Sequence, residues 1–323
     1  MYSRERPWRQ AIAVLCLACG SFGARADASD DLWLLTLGTE LDDEDGYRAD
    51  LGLAWAPSEV TWVTAYAGTA DTSTDFNDFK SRMASLGVDH AFGNVGVALD
   101  LRWWGDSELF ESTAAAGTLY YKRAGWRVAL RGELRESDFE PFDFDAVVPI
   151  RGTEVLVSGT AECGLDNSGY GASLSYTGKS WSMLLAGTQY EYSETDCALT
   201  ALDIPPQVGD LPPVRRELFR RIAGAVLTRG ADLLGSALTR ENGFLDYSLW
   251  GSLGYRSGLK SFALDYFHDR EEFDGLIADT LIGSITFPVS ARLDLELRVG
   301  ATDSDLSGTV AFAGVTLFAF LGK

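Results

Sequence analysis

The sequence predicts an all-β chain, a transmembrane antiparallel up-and-down β-barrel of about fourteen strands with a helix in one long outer loop. Three observations carry that expectation. Hydrophobicity alternates with period two, the breaks between strands alternate between short and long, and large aromatic residues gather beside the short breaks only.

The alternation is clearest in ARLDLELRVG (291–300), where Leu293, Leu295, Leu297 and Val299 interleave with Arg292, Asp294, Glu296 and Arg298. One face is aliphatic and the other charged. NVGVALDLRWW (94–104), GYRADLGLAW (46–55) and GWRVALRGEL (125–134) repeat it. A soluble sandwich alternates too, so the turns must decide between the two. Short breaks APSE (56–59), AFGN (91–94), KRAG (122–125), TGKS (177–180), YRSG (255–258) and PVSA (288–291) alternate with long acidic ones. The long ones include 41–45, 70–78, 105–112, 136–167, 193–242, 269–276 and 301–305. A meander of hairpins with one end in the periplasm and the other outside produces this rhythm.

The rule places strands near 31–41, 46–55, 60–69, 79–90, 94–104, 113–121, 125–135, 168–177, 180–192, 243–255, 259–268, 278–287, 291–300 and 307–320. An even number returns both ends to one side. TEVLVSG (153–159) also reads as strand. If it crossed the membrane with a partner from 193–242, the count would be sixteen; the preferred reading makes it a hairpin arm or strand extension within a long outer loop. In 211–240, Leu218, Phe219, Ile222 and Val226 fall on one helical face after Pro212-Pro213, so a helix is expected over 214–240.

The aromatic residues bracket the short turns: Trp55 and Trp62 around APSE, Tyr121 and Trp126 around KRAG, Tyr176 and Trp181 around TGKS, with Tyr255 beside RSG. Indole and phenol rings favour the headgroup level, so these seven are expected to form a girdle. Backbone polar groups pair completely in a closed barrel, which suits hydrocarbon. Charged faces then turn inward, and the expected lining is Arg48, Asp50, Asp100, Arg102, Arg127, Arg131, Glu133, Asp265, Arg292, Asp294, Glu296 and Arg298. Two arrangements remain open for them, a water-filled lumen or cross-strand pairs that plug it.

Arg4, Arg6 and Arg9 precede an apolar run (11–20) and a small-residue site, Ala24-Arg25-Ala26, so residues 1–26 read as a signal peptide and 27–323 as the barrel. The rival readings are a spanning helix, for which the run is short, and a lipid anchor at Cys19, which lacks the aliphatic residue needed three positions earlier. Cleavage would take four of 27 basic residues and one of 47 acidic ones, leaving 23 against 46. So acidic a chain lacks the basic footprint that nucleic acid requires. Of four cysteines, Cys163 and Cys197 would survive; two thiols in an exported chain point to one disulfide, and too few ligands stand near them for zinc.

No metal, cofactor or catalytic residue is expected. The acidic loop clusters lack the ligand spacing of a calcium loop and read as solvated loops that meet the divalent cations bridging lipopolysaccharide. His90 and His268 are the two histidines, and His268, with Asp265 and Asp269 near it, resembles outer-membrane protease chemistry only loosely.

With signal peptide, alternating strands, alternating loops and aromatic girdles, the chain resembles bacterial outer-membrane β-barrels of the porin and channel kind. The resemblance implies residence in the outer membrane of a Gram-negative bacterium, among lipid and lipopolysaccharide, after insertion by the barrel assembly machinery. The last strand, VAFAGVTLFAFLGK (310–323), departs from the family pattern in ending Leu321-Gly322-Lys323 rather than on an aromatic residue. The expected role is a passive channel for small hydrophilic solutes. A non-conducting structural or surface-interaction barrel is the alternative, and a hydrolase or a hydrophobic-substrate transporter stands behind both.

Overall fold

The structure, a computed structural model, describes residues 32–43, 46–73, 78–106, 110–150, 153–193, 196–203, 244–272, 275–305 and 308–321. The expected signal peptide (1–26) and loop helix (214–240) lie outside these residues.

Among the described residues fifteen strands follow in chain order: β1 (Leu32–Asp42), β2 (Tyr47–Ser58), β3 (Thr61–Ser73), β4 (Asp78–Phe92), β5 (Val95–Asp106), β6 (Phe110–Arg123), β7 (Trp126–Ile150), β8 (Thr153–Thr177), β9 (Trp181–Tyr192), β10 (Asp196–Asp203), β11 (Leu245–Ser257), β12 (Lys260–Glu271), β13 (Ile277–Ser290), β14 (Leu293–Ser304) and β15 (Gly308–Leu321). Fourteen close into an antiparallel barrel. β1 pairs with β15 from Trp33 opposite Leu321 to Asp42 opposite Phe312, and β8 pairs with β9, so no edge is left in the wall.

β10 is the exception, lying outside the ring. β7 and β8 each run 25 residues, far beyond the roughly 9–11 that a tilted strand needs to cross hydrocarbon. β6 leaves β7 at Phe139, and a bulge follows between Phe139 and Phe142. The β7–β8 hairpin continues past it for roughly 30 Å at strand geometry. TEVLVSG is the outer part of β8, so the hairpin-arm reading holds. Its partner from the following loop does exist as β10, which pairs with β8 from Gly164 to Ser158 above the barrel rather than through it.

Outside and inside are inverted relative to a soluble fold. On β7, Leu130 and Leu134 are 62% and 69% exposed, while Glu133 and Arg135 between and beside them are 3% and 7% exposed. Each such leucine would cost about 1.5–3 kcal/mol facing water rather than an apolar medium. Repeated at Leu37, Leu51, Leu86, Leu119, Leu185, Leu253, Leu281 and Val299, the pattern calls for a lipid exterior.

The turns at one end are tight. In the β6–β7 turn Ala124 and Gly125 both have positive φ, 51° and 86°, the pairing of a type I′ hairpin, whose twist matches that of its strands.

Candidate functional site

The inward face carries the chemistry. Ser112, Ala114 and Ala116 of β6 turn small side chains to the lumen, and Ala116 stands in register between Asp100 of β5 and Glu133 of β7. With strands about 4.8 Å apart, long side chains of β5 and β7 meet across that low strand. Arg131 Nη1 donates to Asp100 Oδ2 at 2.7 Å and Nη2 to Glu133 Oε2 at 3.1 Å. Arg135 Nη2 reaches Glu133 Oε1 at 3.0 Å, Arg102 also donates to Glu133, and Arg102 Nε lies 3.8 Å from Asp100. Three guanidinium groups therefore surround two carboxylates.

A second set uses the same device. Gly314 of β15 stands in register between Glu40 of β1 and Arg298 of β14, and Arg298 Nε pairs with Glu40 Oε2 at 2.8 Å over it. A Cβ at Gly314 would meet Arg298 Nε at 2.6 Å. Arg48 continues the row, 3.5 Å from Asp50 and donating to the Tyr66 hydroxyl at 2.7 Å. Glycines and alanines thus alternate with charged side chains that lie flat along the wall.

Of the expected lining, Arg48, Asp50, Asp100, Arg102, Arg127, Arg131, Glu133, Asp265, Asp294, Glu296 and Arg298 all stand on the face opposite the exposed leucines. Arg127 lies over the Tyr120 ring at 4.2 Å, and Thr286 donates to Glu296 at 3.1 Å. Arg292 is a correction. The β13–β14 ladder shifts between Pro288 and Ser290, so Ala291 and Arg292 become the turn and Arg292 is exposed at the barrel end. Glu40 and Arg135 belong to the same face beyond the expected lining. Each continues a period-two run, Glu40 after Thr36 and Gly38, and Arg135 after Arg131 and Glu133.

Six of the seven bracketing aromatics, Trp55, Tyr121, Trp126, Tyr176, Trp181 and Tyr255, stand on the outward face at the short-turn end. Trp126 packs on Tyr176 at 4.9 Å between centroids, Trp181 on Tyr255 at 4.6 Å, and Trp55 stacks on Trp33 at 5.3 Å. Trp62 does not join them. Ser58 pairs with Thr61 but Trp55 pairs with Val63, so the ladder spends one extra residue at Ala56-Pro57. That bulge moves Trp62 to the other face, opposite Asp89 and in step with Tyr66.

Neither histidine joins the charged wall. His90 Nδ1 meets Thr61 Oγ1 at 2.8 Å on the outer face beside Phe92. His268 also faces outward, whereas Asp265 and Asp269 on the same strand face inward. Its partners come from neighbouring strands, Asp279 at 2.8 Å and the Tyr247 hydroxyl at 3.1 Å. Among the described residues no group of three or more acidic, histidine or cysteine side chains is placed to hold a metal ion. Cys163 is buried and disulfide-bonded, and the β8–β10 register sets Cys197 opposite it.

No protein-family model matches the chain, and no curated protein matches it in sequence. Solved structures do share its fold. CymD, a monoaromatic hydrocarbon channel, is similar with a TM-score of 0.50 at 12% identity, over 91% of this chain and 89% of that one. Pseudomonas aeruginosa OccK3 gives 0.40 at 10% identity, over 91% and 95%. The KdgM porin, solved in complex with disordered oligogalacturonate, gives 0.39 at 9% identity, over 88% and 98%. At 12% identity the likeness to CymD is one of fold: the chain is a closed, antiparallel β-barrel, apolar outside.

Proposed function

We propose that this barrel is a passive outer-membrane channel for small hydrophilic solutes, and that its lumen favours solutes carrying both charges or a strong dipole. One observation carries the reading. The arginine-rich wall, Arg102, Arg127, Arg131 and Arg135 around Asp100 and Glu133 on β5 and β7, centres on β6; β14, with Asp294 and Glu296 beside Arg298, lies seven strand steps from β6 in either direction around the ring. Asp265, Asp269 and Glu271 of β12 add to the acidic side. Opposed walls of this kind set a field across the lumen that orients a dipolar solute and lowers the barrier for polar passage. A barrel of this strand number also leaves space that side chains alone do not fill.

The test is planar-bilayer conductance of the purified protein. Discrete ion-conducting steps support the channel, and their absence at all voltages removes it. The rival, a non-conducting surface-interaction barrel, draws support from the β7–β8–β10 arm. Deleting 142–160 would then abolish surface binding while leaving conductance, if any, unchanged.

A further inference from the structure

The basic residues of this acidic chain are not spread evenly. Arg123, Lys179, Lys260 and Arg292 sit at four hairpin turns that follow one another around the short-turn rim, β6–β7, β8–β9, β11–β12 and β13–β14, and all four are exposed. Within 122–126, 177–181, 256–260 and 289–293 there is no aspartate or glutamate, in a chain of net charge −20. The two short turns outside this arc differ: the β2–β3 turn carries Glu59, and the β4–β5 turn carries no charge.

Hydrogen bonds between turns hold the rim. Thr177 N donates to Gly125 O at 2.8 Å, and Arg256 N donates to Ser180 O at 2.7 Å, so three of the basic turns are tied edge to edge. The outward pairs Trp126–Tyr176 and Trp181–Tyr255 lie just inside this rim, on the strands that the same turns connect. Aromatic rings at that level mark the lipid headgroups, and Lys and Arg set beyond them reach the phosphates along their aliphatic stems.

We propose that this arc binds the headgroups of anionic phospholipids in the leaflet at the short-turn, periplasmic end of the barrel. The inference rests on the barrel spanning a membrane and goes beyond conduction. The cations sit at fixed positions on hydrogen-bonded turns, with no carboxylate in those turns to compete. The ligand chemistry is a phosphodiester carrying net negative charge, and neighbouring cations along the rim suit several lipids side by side.

Native mass spectrometry of the full chain in detergent tests this, titrating phosphatidylglycerol and phosphatidylethanolamine of identical acyl chains. Phosphatidylglycerol is expected to be retained at roughly tenfold lower concentration. Combining Arg123→Glu, Lys179→Glu and Lys260→Glu removes that preference, and the corresponding Gln substitutions, which perturb the turns least, reduce it to an intermediate value. Glu59→Lys, which raises net charge off the arc, leaves it within about twofold. Equal retention of the two lipids by the native chain overturns the proposal, as does a preference that survives both triple variants. Retention is read on protein that need not conduct, so a closed lumen would sink the channel reading without touching this one.

Discussion

Arg131 and Asp100 form an ion pair at 2.7 Å although a whole strand, β6, runs between them. The pair exists because β6 turns alanines to the lumen there, leaving the long side chain a clear path. Arg131→Glu reverses the charge of that wall. It is expected to shift permeability toward cations several-fold, read as the reversal potential in a salt gradient. An unchanged potential would place Arg131 off the conduction path.

Glu133 accepts from Arg102, Arg131 and Arg135, and its side chain is buried. Glu133→Gln leaves three guanidinium groups with one carboxylate. Loss of a buried partner costs about 3–5 kcal/mol where water is excluded. The variant should unfold at lower urea concentration and, if it conducts, pass anions more readily. Native-like unfolding would show that lumen water already screens the cluster.

Filling the gap offers a complementary test. Ala116→Leu puts a branched side chain where Arg131 crosses to Asp100. Overpacking of this kind costs about 1–3 kcal/mol. Single-channel conductance should fall together with stability, and unchanged values in both would mean that the crossing is not confined.

Trp55 and Trp62 belong to different surroundings. In variants that retain a single tryptophan, brominated acyl chains should quench Trp55, whereas Trp62 should respond to water-borne iodide instead. Equal quenching by lipid at both positions would contradict the bulge at Ala56-Pro57.

Gly125 has a φ of 86°, and a Cβ there would lie 2.5 Å from the Thr177 carbonyl oxygen of the next turn. Gly125→Val therefore strains its own turn and its neighbour. A loss of about 2 kcal/mol or more is expected in urea unfolding.

The register across β8 and β10 supports a Cys163–Cys197 disulfide. Proteolysis without reduction should release one linked pair of peptides carrying these residues, which dithiothreitol separates. Free alkylation of both thiols in unreduced protein would exclude the bond.

Much of this barrel is legible in the residues. ARLDLELRVG and NVGVALDLRWW state which side chains share a face, because successive residues of a strand point to opposite sides whatever the strand packs against. The rhythm of short and long breaks orders the hairpins, and aromatics beside the short ones mark the lipid boundary. TEVLVSG, with its β-branched residues, extends β8 as the arm that its pattern implies.

What the sequence by itself determined is therefore the order of the hairpins, the face of most strand side chains and the end where the short turns lie, all consequences of local period. Only the tertiary structure decided which charges meet. Glu40 finds Arg298 because closure brings β1 to β15, and His268 takes Asp279 rather than Asp269 because its own strand turns Asp269 to the far face. Trp62 and Arg292 depart from their expected places at register shifts: the one at Ala56-Pro57 carries Trp62 to the other face, and the one between Pro288 and Ser290 leaves Arg292 in the turn. One extra residue costs little in sequence pattern, yet with a period of two it inverts every side chain beyond it.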